Sequence, residues 1–131
     1  MNNLIELGIR YQDLQEMFNL NPMLEYLNDK EINDNILFLK SLKCSDIIIK
    51  NIIICNPFYL NRSITDLQKL VSKLINLGLT NLDLLFDSNP FLLNKDAFEI
   101  DSFIKEKLKL GFKLESIIDL IDSDPYITQE I

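Results

Sequence analysis

The stretch Leu77-Gly78-Leu79-Thr80-Asn81-Leu82-Asp83-Leu84-Leu85-Phe86-Asp87-Ser88-Asn89-Pro90-Phe91-Leu92-Leu93 decides the fold. Glycine takes the left-handed conformation that ends a helix without a Cβ penalty. A polar residue two places on, here Thr80, is placed to cap the next helix by accepting from its free N–H groups. Asn89-Pro90 then stops that helix, because proline forces the residue before it out of the α region. Proline is also well suited to the first position of a following short helix.

This punctuation recurs along the chain. The four prolines, Pro22, Pro57, Pro90 and Pro125, are spaced by 35, 33 and 35 residues. The three glycines, Gly8, Gly78 and Gly111, lie 14, 12 and 14 residues before a proline, and Lys43 holds the fourth place. Leu7, Leu42, Leu77 and Leu110 precede this phase, and Asn21, Asn56, Asn89 and Asp124 precede the prolines. Every glycine and proline therefore falls in one of two phases of a repeat of about 34 residues, the signature of stacked helical units. Ser45 shares the capping phase of Thr80, whereas Arg10 and Lys113 are poor caps there and predict looser helix starts.

Helices are expected near residues 10–19, 30–42, 45–55, 63–77, 80–87, 96–110 and 113–122, with a short turn of helix after each proline. The longer helices carry one apolar face, such as Ile64, Leu67, Leu70, Val71, Leu74 and Leu77. The helix 45–55 is apolar nearly all round, which places it between neighbours. No segment alternates with period two. The expected fold is all-α, a right- or left-handed α-solenoid of about four units, approximately 1–27, 28–60, 61–93 and 94–131, forming a single helical-repeat domain. Leu70, Val71, Leu74, Ile53 and Leu85 are its expected buried residues.

The unit resembles the repeat of the mitochondrial transcription termination factor (mTERF) family. The resemblance is carried by Leu77-Gly78 with Asn89-Pro90-Phe91-Leu92-Leu93, and by Leu110-Gly111-Phe112 with Asp124-Pro125-Tyr126-Ile127. It covers almost the whole chain. It implies units of two helices and a short 3₁₀ helix, and a non-enzymatic protein of a family that binds DNA, RNA or ribosomal partners. Tetratricopeptide repeats share the period but rely on Ala and Gly at close crossings, and this chain has a single Ala, Ala97.

Composition excludes most catalysis. Histidine is absent from the 131 residues, which removes Ser-His and Cys-His pairs and the usual imidazole zinc sites. Three glycines cannot build a phosphate loop. Cys44 and Cys55, eleven residues apart on one expected helix, are about 16 Å apart and beyond disulfide reach. They are read as small buried apolar residues of a protein in a reducing, cytoplasmic compartment. No signal, transit or transmembrane segment is expected, nor any cofactor or metal: Asp119, Asp122 and Asp124 lack the cradle that hard cations need. Tyr11, Tyr26, Tyr59 and Tyr126 are assigned to packing.

The net charge is -7, from 20 acids and 13 bases. Residues 38–75 nevertheless hold six bases, Lys40, Lys43, Lys50, Arg62, Lys69 and Lys73, against two acids. These six are the candidate nucleic-acid contacts, although lysines at helix C-termini also complement the helix dipole. The leading expectation is a non-catalytic scaffold that binds a protein partner, with nucleic-acid binding through the basic middle as the alternative. A second candidate surface lies at the stack's end. Ile117, Ile118, Ile121, Tyr126 and Ile127 are expected to lie exposed there for self-association or a partner, as are Leu4, Ile5 and Leu7 at the other end; the alternative is that Ile117, Ile118 and Ile121 fold inward onto helix 96–110.

Overall fold

The computed structural model describes residues 1–131. It is all-helical, without a strand. Eight α-helices, α1 (Asn2–Glu6), α2 (Tyr11–Leu20), α3 (Asp29–Ser41), α4 (Asp46–Cys55), α5 (Ile64–Asn76), α6 (Leu82–Ser88), α7 (Ala97–Lys109) and α8 (Leu114–Ser123), alternate with 3₁₀ turns. The turns are η1 (Pro22–Tyr26), η2 (Pro57–Asn61), η3 (Pro90–Asn94) and η4 (Ile127–Gln129). Like packs on like one unit along. The odd helices run α1 on α3 on α5 on α7, the even helices α2 on α4 on α6, and the turns η1 on η2 on η3; α8 packs on α7.

Local chemistry sets these boundaries. Gly8, Gly78 and Gly111 have φ of 92°, 92° and 93°, and Lys43, in the same phase, is forced to φ 70°. In each case the next amide reaches back into the helix: Cys44 N–H donates to the Leu39 carbonyl at 3.2 Å and Leu79 N–H to that of Leu74 at 3.1 Å. Pro22, Pro57 and Pro90 each open a 3₁₀ turn. Ser45 caps α4, its Oγ accepting from Ile48 N–H at 3.2 Å, and Ser63 caps α5 in the same way from Asp66 N–H at 3.1 Å.

Several sequence expectations change. Thr80 does not cap α6; Asn81 stands at that position with φ 54° and no side-chain cap bond, so the chain gains one residue before the helix begins. The start of α2 is not loose, because Asp13 accepts from both the Arg10 amide and its Nε at 3.2 Å. The guanidinium holds the Asp13 carboxyl below its ordinary range. Cys55 is exposed while Cys44 is buried. Tyr59 alone among the tyrosines packs inside, its hydroxyl donating to the Asn35 carbonyl at 2.6 Å; Tyr11, Tyr26 and Tyr126 are exposed.

The core runs the length of the chain and contains Leu70, Val71, Leu74, Ile53 and Leu85 as expected. It also contains much of the expected end patch. Ile117, Ile121 and Ile127 are buried and Ile118 is half-buried, α8 turning its apolar face onto α7; only Tyr126 stays exposed. At the other end Leu4 is fully buried, Leu7 is half-buried and Ile5 remains exposed. Lys107 takes the phase of Leu74, and its ammonium lies 5.6 Å from the Phe103 ring and 5.4 Å from the Phe112 ring, so a charged tip closes α7.

Candidate functional site

Two sets of residues cross from unit to unit. The first is an amide ladder built by the asparagine before each proline. Asn21 Nδ2 donates to the Pro57 carbonyl at 3.3 Å and to Asn61 Oδ1 at 2.7 Å. One unit on, Asn56 Nδ2 donates to the Pro90 carbonyl at 3.0 Å and to Asn94 Oδ1 at 2.9 Å, and Asn94 Nδ2 returns a bond to Asn56 Oδ1 at 3.1 Å. The third rung is open: Asn89 is 4% exposed and its Nδ2 has no partner. Buried amides are ordinarily satisfied, so the ladder fixes the spacing of η1, η2 and η3. Asn35, buried on α3 at the phase of Leu70, adds a clamp by donating to the carbonyls of Tyr59 at 2.9 Å and Arg62 at 3.1 Å.

The second set is the charge, which the structure sorts by layer. The even helices hold one base, Lys50, and eight acids: Asp13, Glu16, Asp46, Asp83, Asp87, Glu115, Asp119 and Asp122. The odd helices hold seven bases, Lys30, Lys40, Lys69, Lys73, Lys105, Lys107 and Lys109, against eight acids. Both layers thus carry eight acids, but more than half of the 13 bases offset them on the odd layer, and the net negative charge lies on the even one.

The six candidate bases do not form one patch. Arg62 is a staple between units: its Nε donates to the Leu93 carbonyl at 3.0 Å, its Nη2 donates to the Lys95 carbonyl at 3.1 Å, and the same nitrogen pairs with Asp96 at 3.0 Å. That planar fork suits guanidinium alone. Lys73 pairs with Asp101 of α7 at 2.5 Å and holds that carboxyl below its ordinary range. Lys40 approaches Asp46 at 3.8 Å, and Lys50 packs its stem near Gly8. Lys43 and Lys69 are exposed and form no ion pair; Lys69 lies on the odd layer. Lys105 and Lys109, which the sequence assigns to the last turn of a long helix, extend the exposed odd-layer bases onto α7.

No group of His, Cys, Asp and Glu is arranged to hold a metal ion, and no helix is long and apolar enough to cross a membrane. The even-layer acids Asp83, Asp87, Asp119 and Asp122 form no ion pairs.

An all-helical chain whose units end in Leu-Gly and Asn/Asp-Pro, with a 3₁₀ turn after each of the first three prolines, defines a class of helical-repeat protein. The mTERF family model matches residues 1–129, and the chain belongs to the mTERF family. No curated protein matches it in sequence.

Proposed function

We propose that this protein is a non-enzymatic nucleic-acid-binding scaffold, a solenoid of about four units near 1–27, 28–60, 61–93 and 94–131. Membership of the mTERF family over nearly the whole chain carries the reading. The packing of like element on like supports the stack. The layered charge supports the binding. The odd helices carry Lys40, Lys69, Lys73, Lys105 and Lys109 among seven bases and eight acids, whereas the even helices carry eight acids against one base, so a polyanion meets less opposing charge on the odd layer. Phosphate neutralisation supplies most nonspecific affinity and makes it salt-dependent. The test is an anisotropy titration with random duplex and single-stranded RNA at low and moderate salt. Binding that weakens with salt, and that is lost on replacing Lys40, Lys69, Lys105 and Lys109 with Gln, is the expected result. Absence of binding to either probe at low salt refutes it.

The even layer favours a second reading, a basic protein partner. Eight acids against one base on that layer, with Leu84 exposed among them, suit a Lys- and Arg-bearing surface. Loss of a captured partner on replacing Asp83, Asp119 and Asp122 with Asn would support it.

A further inference from the structure

The residue after each proline is large and apolar, and in every unit it faces out. Met23 is 57% exposed, Phe58 41%, Phe91 44% and Tyr126 68%. The residue one place on, Leu24, Tyr59, Leu92 or Ile127, is buried, so each turn anchors through one side chain and presents its neighbour. Because η1 packs on η2 and η2 on η3, Met23, Phe58 and Phe91 form a row along one edge, and Tyr126 shares a cleft with Phe91 at its end.

Acids are absent from the middle of this row. The segments Asn56–Arg62 and Asn89–Lys95 contain none, and each ends on a base, Arg62 held to Asp96 at 3.0 Å and Lys95 reaching Glu99 at 3.9 Å. Between η3 and η4 the row opens into a cleft of about 380 Å³ lined by Phe91 and Tyr126, with Asn94, Lys95, Thr128 and Gln129 around them. Its wall also includes Pro125, the residue whose carbonyl would receive Asn89 if the ladder continued; the Asn89 amide is buried and unpartnered. Two aromatic side chains, polar groups and a base lining one cleft are the components that receive an unstacked nucleobase.

We propose that this edge is a track for single-stranded nucleic acid, with one base seated between Phe91 and Tyr126, a neighbouring base on Phe58, and Lys95 at the backbone. The track rests on the nucleic-acid reading above and names the form of the polymer it takes. A duplex keeps its bases stacked and cannot use the row. Because stacking carries the contact, binding here depends less on salt than binding to the odd-layer lysines.

The test is fluorescence anisotropy with labelled oligouridine and with a duplex RNA of the same length, on wild type and on Phe58→Ala, Phe91→Ala, Tyr126→Ala and Phe91→Tyr. All three positions are partly exposed, and circular dichroism verifies that each variant is folded. Each alanine variant should weaken oligouridine binding by about 5- to 150-fold, the range of one base–aromatic stack. Phe91→Tyr should keep it, and duplex binding should not move. Oligouridine binding that survives the alanine substitutions overturns the track. Duplex binding without oligouridine binding also overturns it while leaving the nucleic-acid reading intact. Failure to bind either probe defeats both.

Discussion

Replacing Asn56 with Ala tests whether the amide ladder holds the units together. The side chain is fully buried and takes part in three hydrogen bonds, at 3.0, 2.9 and 3.1 Å, all to residues of η3. Each contributes about 0.5–1.5 kcal/mol net. Pro90 and Asn94 are half-buried, so water can reach the groups left behind and the full penalty of a stranded polar atom does not apply. A loss of about 2–3 kcal/mol follows. Asn89→Ala is the matched control, because it removes the same side chain at the same phase from a rung that is not formed. Deleting an unpartnered buried amide relieves about 1–3 kcal/mol of desolvation while losing some packing, so the change should stay within about 1 kcal/mol of zero. Urea unfolding followed by far-UV circular dichroism gives both values, and unchanged slopes show that the comparison is fair. Equal destabilisation by the two variants, within about 0.5 kcal/mol, refutes the ladder. So does strict additivity of Asn56→Ala and Asn94→Ala in a double-mutant cycle.

Three further outcomes are expected. Lys43 occupies a glycine phase at φ 70°, so Lys43→Gly should stabilise by about 1 kcal/mol; Gly78→Val, at φ 92° with open space around its Cβ position, should destabilise by about 1–2 kcal/mol, and denaturant midpoints report both. Asp101 titrates below its ordinary range because Lys73 donates to it, so its contribution is present above the ordinary carboxylate range and is lost as pH falls through the lowered folded value; Lys73→Met should flatten the acid side of the stability–pH curve. Cys55 is exposed while burial pushes the Cys44 thiol up to about 11, so a thiol reagent at neutral pH should modify one cysteine per folded chain quickly and the second only on unfolding.

The boundaries of the helices were legible because they rest on backbone chemistry that a residue carries with it. Gly78 and Gly111 at positive φ and Pro90 at the start of a 3₁₀ turn follow from local rules. The asparagines were visible as a phase, but their partners were not: Asn56 bonds a carbonyl 34 residues away, and only the stacking decides which carbonyl arrives there. Arg62 was read as a surface base for the same reason, since the Leu93 and Lys95 carbonyls that receive it lie one unit along. For the apolar residues near the end of the chain the sequence leaves two outcomes, exposure or folding inward onto helix 96–110, and the packing of α8 on α7 gives the second for Ile117 and Ile121.

Charge is the property that contiguous windows of sequence misrepresent most. In a stack, neighbours in space are residues one unit apart, and each window of about 34 residues mixes both layers. The basic middle of the sequence is therefore a slab of the stack that contains parts of both layers, not a patch on one face. The even helices alone carry an excess of seven acids, while the odd helices and the connections nearly balance. Packed helix layers are about 8–10 Å apart, close to the Debye length at physiological salt. Acids on the even layer are consequently well screened from a phosphate lying on the odd layer. The net charge therefore weighs most against the even face, where Asp83, Asp87, Asp119 and Asp122 stand without bases; the odd face, with seven bases to eight acids, is close to neutral. The same screening fails as salt is lowered and the Debye length grows, so the acids then oppose the lysines across the molecule. A salt slope shallower than the number of odd-layer lysines would suggest is the electrostatic consequence of this layering.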